Sequence, residues 1–244
     1  VKILSLDIET SPNVADVWGL YQQNVSLSQL RESTRMICFA AKWKHEDRVL
    51  FRSEFHDTRE KMLDTAWSLF DEADVVVHWN GTSFDVPHVM REFVVTETSP
   101  PSPFIQIDLL RVVRKRFRFS SNKLDHVAEQ LLGERKVKHA GHDLWTRCLA
   151  GDPKAWAEMR RYNKQDTVLV DKLLDRLLPW IPNYPHAGLF TGAVESCPRC
   201  GSDSYQKRGL AISATRQYQQ YRCNDCAGWF RSVRSEGGVP TRSI

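Results

Sequence analysis

The sequence predicts an α/β fold, a mixed sheet flanked by helices, followed by a small C-terminal module. Three observations carry this. Short apolar strands come first and lie close together in the chain. Further strands then alternate with segments of helical apolar spacing, the order expected of a mixed sheet with helices against it. Finally, two C-x-x-C pairs stand within residues 195–244.

Lys2 to Leu6 alternates with branched apolar side chains and reads as a first strand. It meets Asp7 and Glu9 at once, so it does not read as a signal peptide. Met36 to Trp43 and Arg48 to Phe51 read as the next strands. Between Arg59 and Glu72, apolar residues at Met62, Leu63, Ala66, Leu69 and Phe70 have helical spacing. Asp74 to Trp79 is a nearly continuous apolar run, the pattern of a buried strand. Phe84 to Val94 reads as a helix with Pro87 in its first turn, where a missing N–H costs little.

Ser99 to Pro103 is a rigid loop, and Phe104 to Ile107 a brief strand that leads into a basic helix at Leu109 to Arg118. Leu124 to Leu132 is a further helix, closed by Gly133. Pro153 to Leu178 carries helical spacing, as one long helix or two abutting ones, and stops at Pro179. Trp180 to Gly192, with Pro182, Pro185, Gly188 and Gly192, reads as a linker or packing strap.

The length of 244 residues, 41% of them hydrophobic, suits one medium domain and an appendage. The expected boundaries are a domain over 1–182, a linker over 183–194 and a module over 195–244. A piece of about 50 residues buries too little surface to fold unaided and needs metal or disulfides. No run of about 18 apolar residues occurs, so no membrane span is expected. Of six cysteines, Cys38 and Cys148 stand alone and read as buried thiols. Residues 195–244 hold eight basic and four acidic side chains, which is the whole net charge of +4. A locally basic module suits a polyanion, although many solvated surfaces are as basic.

Three segments carry the chemistry. Asp7 and Glu9 lie two apart on a strand and so share a face, where they repel unless a cation sits between them. Read alone, the pair is a weak signal, and a solvated strand end is the plainer reading. Asn80-Gly81-Thr82-Ser83-Phe84-Asp85 follows a buried strand and opens a helix, where Ser83 or Asp85 could merely cap it. Tyr162 and Asp166 are four apart on a helix and share a face. Asp has poor interior helix propensity and needs another reason to be there, whereas Tyr162 could simply pack.

In order and spacing these segments, D-x-E, N-x-x-x-F-D and Y-x-x-x-D, resemble the DEDD superfamily of 3′–5′ exonucleases over roughly residues 1–180. The middle segment, WNGTSFDVPHV, is most similar to the proofreading exonuclease domain of family B DNA polymerases. Tyr162 marks the DEDDy type, since the sister type has a histidine where Arg161 stands.

The resemblance implies an RNase H-like fold, with Asp7, Glu9, Asp85 and Asp166 converging on two Mg²⁺ or Mn²⁺ ions. By the family pattern Asp7 bridges both ions, and Glu9 and Asp166 complete the site beside the attacking water. Asp85 holds the second ion, and Tyr162 orients the water. Ile8, Thr10, Asn80 and Phe84 are expected at the substrate. The expected partners are nucleic acid, DNA ahead of RNA, and a polymerase or other replication protein, in a cytoplasmic setting in bacteria or a virus's host. No polymerase-sized segment follows, so any proofreading is expected in trans.

Other features are less pointed. Arg111, Arg114, Lys115, Arg116 and Arg118, with Phe117 and Phe119, could track a single strand or form a solvated helix face. Asp108 follows a strand in either a structural or a site role. His139 and His142 lack a third ligand and read as a polar loop.

Cys197 and Cys200 pair with Cys223 and Cys226, with 22 residues between the pairs. Two such knuckles suit one tetrahedral, closed and therefore structural Zn²⁺, and the segment resembles a zinc ribbon. Tyr205, Tyr218, Tyr221, Trp229 and Phe230 lie around them. These aromatics read either as the ribbon's small core or as a grip on nucleic acid.

Overall fold

The computed structural model describes residues 1–243. The chain divides into two compact units, one of residues 2–174 and one from Asp175 onward with Val1.

In the first unit the elements run β1 (Ile3–Thr10), β2 (Val14–Ala15), β3 (Leu30–Glu32), β4 (Met36–Trp43), β5 (Val49–Ser53), α1 (Arg59–Glu72), β6 (Val75–His78), α2 (Asp85–Val95), β7 (Ile105–Asp108), α3 (Leu109–Arg116), α4 (Leu124–Leu132) and α5 (His142–Leu149). The long helix α6 (Pro153–Leu177) follows and runs on into the second unit. The main sheet has the order β5-β4-β1-β6-β7. β1, β4 and β5 form an antiparallel meander, while β6 and β7 continue from β1 in parallel. A mixed sheet flanked by helices is therefore what the chain forms.

Strand alternation in β1 sets the layers. Leu4, Leu6 and Ile8 pack on one face with Met62, Phe70, Val89 and Phe93 from α1 and α2. Asp7 and Glu9 point to the other face, opposite Ala40 and Cys38 of β4. There α6 covers the sheet, and Thr167 Oγ1 donates to Ala40 O at 3.3 Å. Trp156, Met159 and Tyr162 of α6 join Ile37, Cys38 and Phe51 in this second core, which also holds Leu144 and Cys148 of α5. Cys38 and Cys148 are buried, free thiols, as expected.

Several boundaries move. β1 runs on to Thr10, beyond the Lys2 to Leu6 alternation, so Asp7 and Glu9 lie within its last pleats. Acidic residues have low strand propensity, but the ladder offered by β4 overrides it. The basic helix stops at Arg116, with Phe117 extended at φ −132° and ψ 165°. Pro153 to Leu177 is one helix, followed by a 3₁₀ turn at Leu178–Trp180. The small β2–β3 pair and α5 were not anticipated, because neither has a repeating apolar pattern long enough to read.

In the second unit, the stretch read as a linker holds a short helix, α7 (Gly188–Thr191). The strands β8 (Tyr205–Ile212), β9 (Arg216–Cys223), β10 (Trp229–Arg231) and β11 (Gly237–Gly238) follow. β9 pairs antiparallel with the other three, with β10 and β11 meeting successive stretches of it. Among the described residues no helix is long and apolar enough to cross a membrane.

Candidate active site and metal centre

The carboxylates predicted from distant segments converge. β1 supplies Asp7 and Glu9, α6 supplies Asp166, and one oxygen from each lies within 4.8 Å of the others. Asp85, the first residue of α2, is buried, and its Oδ1 accepts the Ile8 N–H at 3.0 Å. A helix start is a favourable place for an anion. Asp85 is near enough to raise the pKa of both Asp7 and Glu9. The β1–β4 register also shifts between Glu9 and Thr10, a bulge of the kind that re-aims side chains.

The turn that delivers Asp85 is tightly built. Asn80 has φ 71°, and its N–H donates to Asp108 Oδ1 at 3.1 Å. The same oxygen accepts from Leu110 N and caps α3, so Asp108 has a structural role in this turn. Gly81 N donates to Nδ1 of buried His78 at 3.0 Å, which leaves Nε2 to donate to Gln106. A Cβ on Gly81 would lie 2.3 Å from His78 Cγ, so glycine is required there.

Burial and mutual repulsion dominate the electrostatics. Burial, then the charges of Asp166, Asp85 and Glu9, hold the Asp7 carboxyl well above its usual range. Burial and Asp166 push Glu9 up to about 8. Burial pushes Asp85 up to about 7, against the hydrogen bond from Ile8. Asp166 is raised by burial, although Lys136 opposes it. The Tyr162 phenol is driven far up by burial and by Glu9 and Asp166, so it stays protonated.

Lys136 and Asn163 were missed in the sequence. Lys136, in the segment between α4 and α5, places Nζ 2.5 Å from Asp166 Oδ2 and 2.9 Å from the Tyr162 oxygen. Asn163 is buried on α6, and its Nδ2 donates to Asp7 Oδ2 at 2.6 Å and to Asp7 O at 3.1 Å. A buried amide beside Tyr162 could have been sought on the inner face of the helix. Nothing local marks Lys136.

A groove of about 610 Å³ opens from Asp7, lined by Trp79, Asn80, Arg114, Lys123 and Lys136 among others. Of the residues expected at the substrate, Asn80 lines this groove. Ile8 is buried with its N–H taken by Asp85. Among the described residues Thr10 and Phe84 do not line this groove, and the Phe84 ring packs edge-on against His88. Of the basic run on α3, Arg114 reaches the groove. His139 packs against Tyr162 and Trp145, at ring-centroid distances of 4.6 and 5.2 Å, and His142 opens α5. Neither joins a metal-ligating group among the described residues.

A family model of the RNase_H superfamily matches residues 6–178. The chain belongs to that superfamily. The matched residues take in the mixed sheet, from Leu6 of β1 onward, and every residue of the acidic site. The family B DNA polymerase of the hyperthermophilic archaeon Pyrobaculum calidifontis is structurally similar, with TM-score 0.54 and 17% identity, over 91% of this chain and 33% of the polymerase. The chain thus spans about a third of that polymerase, and the likeness is one of fold. No curated protein matches the sequence.

In this RNase_H superfamily member the acidic triad fits a hard divalent cation. Every donor is a carboxylate oxygen, the type that Mg²⁺ and Mn²⁺ prefer. Asp166 Oδ1 is buried with no hydrogen-bond partner, and a bound cation would satisfy it.

The C-terminal cysteines form a second group, with all four sulfurs within 4.8 Å of one another. Cys197 Sγ lies 3.6 Å from Cys226 Sγ, and Cys200 Sγ 3.6 Å from Cys223 Sγ. Four Zn–S bonds of about 2.3 Å in a tetrahedron put sulfurs roughly 3.8 Å apart, so the group suits Zn²⁺. Gly201 supports the first knuckle at φ 78°, with its N–H on Cys197 O. Burial pushes the Cys223 thiol up, but the N–H groups of Cys226 and Asp225 outweigh it and the net shift is downward. A Cys₄ set leaves no open position and so suits a structural ion.

Proposed function

We propose that this protein is a metal-dependent 3′–5′ exonuclease of the DEDDy type, releasing nucleoside monophosphates from single-stranded DNA. One observation carries the reading. Three carboxylates drawn from β1 and α6 meet within 4.8 Å, beside a protonated tyrosine, and one of them, Asp7, lines a groove with Arg114, Lys123 and Lys136.

Asp7, Glu9 and Asp166 would hold one cation, and Asp7 with Asp85 the second. When bound, such a pair polarises the scissile phosphate and lowers the pKa of the attacking water. Tyr162 keeps its proton, so it serves by donating a hydrogen bond that aims the water rather than as a base. Asn163 holds Asp7 in one rotamer through its amide. Arg114 and Lys123 offer positive charge to the phosphates behind the scissile bond. Trp79, in the same groove, offers a ring against which a base can stack. The exonuclease domain would span 1–182, joined by 183–194 to a ribbon over 195–244 that carries one structural Zn²⁺. Nucleic acid is the direct partner, and a polymerase or other replication protein would supply the ends to be trimmed.

The test uses single-stranded DNA and RNA labelled at the 5′ end, with Mg²⁺, with Mn²⁺ and without divalent metal. A metal-dependent ladder shortening from the 3′ end supports the reading, and faster loss of the DNA supports the substrate. Preference for RNA moves the enzyme to RNA processing. Binding without any cleavage overturns catalysis and leaves a nucleic-acid-binding module.

A further inference from the structure

We propose that one face of the C-terminal sheet binds a single strand of nucleic acid, with Trp229 stacking on a base and Arg216, Arg222 and Arg231 meeting phosphates. This surface belongs to the second unit, and the inference stands apart from the catalytic reading.

Strand register separates the two faces. Tyr221 is directly opposite Phe230 of β10, and Tyr205 is opposite Cys223, so all four side chains share one face. The rings of Tyr205, Tyr221 and Phe230 indeed cluster, at centroid distances of 5.2–5.4 Å. That face is the ribbon's core, and Cys223 on it is buried.

The alternate residues of β9 must then project to the other side. They are Arg216, Tyr218, Gln220 and Arg222. Arg222 is opposite Trp229, and Gln220 is opposite Arg231. A ring contact supports this assignment independently, since the Arg231 guanidinium lies 3.8 Å from the Tyr218 ring centroid.

The result is a face with three arginines, two aromatic rings and, among the described residues of these strands, no carboxylate. Arg216 and Arg231 are exposed, and Trp229 is 48% exposed. The indole of Trp229 is half exposed on this face, across from Arg222 and two residues from Arg231. The Tyr218 ring already carries Arg231, which leaves Trp229 as the open stacking platform. Arginines spaced along a strand match the repeated charge of a sugar-phosphate chain, and an open ring matches an unpaired base. A duplex hides its base faces within its own stack. The surplus of eight basic over four acidic side chains in residues 195–244 adds attraction of the same sign.

The experiment uses the full chain carrying Asp7→Asn, so that binding is read without turnover. Fluorescence anisotropy of a labelled oligothymidylate of about twenty nucleotides is followed against salt, and zinc content is measured for every variant. Trp229→Ala should weaken binding about tenfold, while Trp229→Phe should retain most of it. Replacing the three arginines with glutamine should flatten the slope of log affinity against log salt by about 2, at roughly 0.7 for each phosphate no longer neutralised. Zinc-loaded variants with unchanged affinity and slope would overturn the proposal. So would duplex DNA bound as tightly with the same losses, or polyglutamate displacing the strand at equal charge.

Discussion

Lys136 Nζ lies 2.5 Å from Asp166 Oδ2 and 2.9 Å from the Tyr162 hydroxyl, tying the segment after α4 to the two site residues of α6. The ammonium is held largely out of water, and its own pKa is raised by Asp166, Asp7 and Glu9 despite burial. Removing it leaves Asp166 beside Asp7 and Glu9 with no cation. Lys136→Met should lower stability in Mg²⁺-free buffer by about 1–3 kcal/mol, measured by denaturant melts. Added Mg²⁺ should recover most of that loss, because it answers the same repulsion. An equal loss with and without Mg²⁺ would show that Lys136 acts through packing alone.

Asp7→Ala or Asp166→Ala should reduce Mg²⁺-dependent digestion by roughly a thousandfold or more, about 4 kcal/mol of barrier, with the fold retained. Tyr162→Phe removes the positioning hydroxyl and leaves the carboxylates, so its loss should be smaller, about ten- to a hundredfold. Rates on end-labelled DNA, with circular dichroism as the folding control, check both. Wild-type turnover in either Asp variant would refute the site.

Stability without divalent metal should fall as pH rises. Folding pushes Glu9 up to about 8 and Asp85 to about 7, from the ordinary carboxylate range near 4. Between those values the folded chain holds protons that the unfolded chain has released, so raising pH favours unfolding. The melting temperature in Mg²⁺-free buffer should therefore decline from about pH 5 to about pH 8, and Mg²⁺ should raise it most at the upper end. A profile that climbs over this interval would contradict the raised pKa values.

Gly81→Ala should damage the turn that delivers Asp85. The new methyl would meet the buried His78 ring at 2.3 Å, and neither group has room to move. A loss of about 1–3 kcal/mol is expected in chemical denaturation, with activity falling as Asp85 shifts. Unchanged stability would mean that the turn relaxes freely.

The acidic residues were legible because their spacing on regular elements is local. Asp7 and Glu9 share a face by strand alternation, and Tyr162 and Asp166 by helix periodicity. Gly133 closing α4 at φ 71° and Pro87 near the start of α2 were equally readable. The β2–β3 pair and α5 were not, since they are held by packing and long-range pairing rather than by pattern. Lys136 was invisible for a related reason, because its meaning comes from a contact with α6 across 30 positions of chain.

Residue order alone therefore determined the chemical inventory: which faces hold carboxylates, where the cysteines pair and which module is basic. Only the tertiary structure decided that β1, α2 and α6 bring those carboxylates together, and that Lys136 and Asn163 stand among them. It also decided which side of β9 looks outward. Periodicity acts over a few residues and is written in the chain, whereas convergence depends on which surfaces bury one another, and that is settled by the whole fold at once.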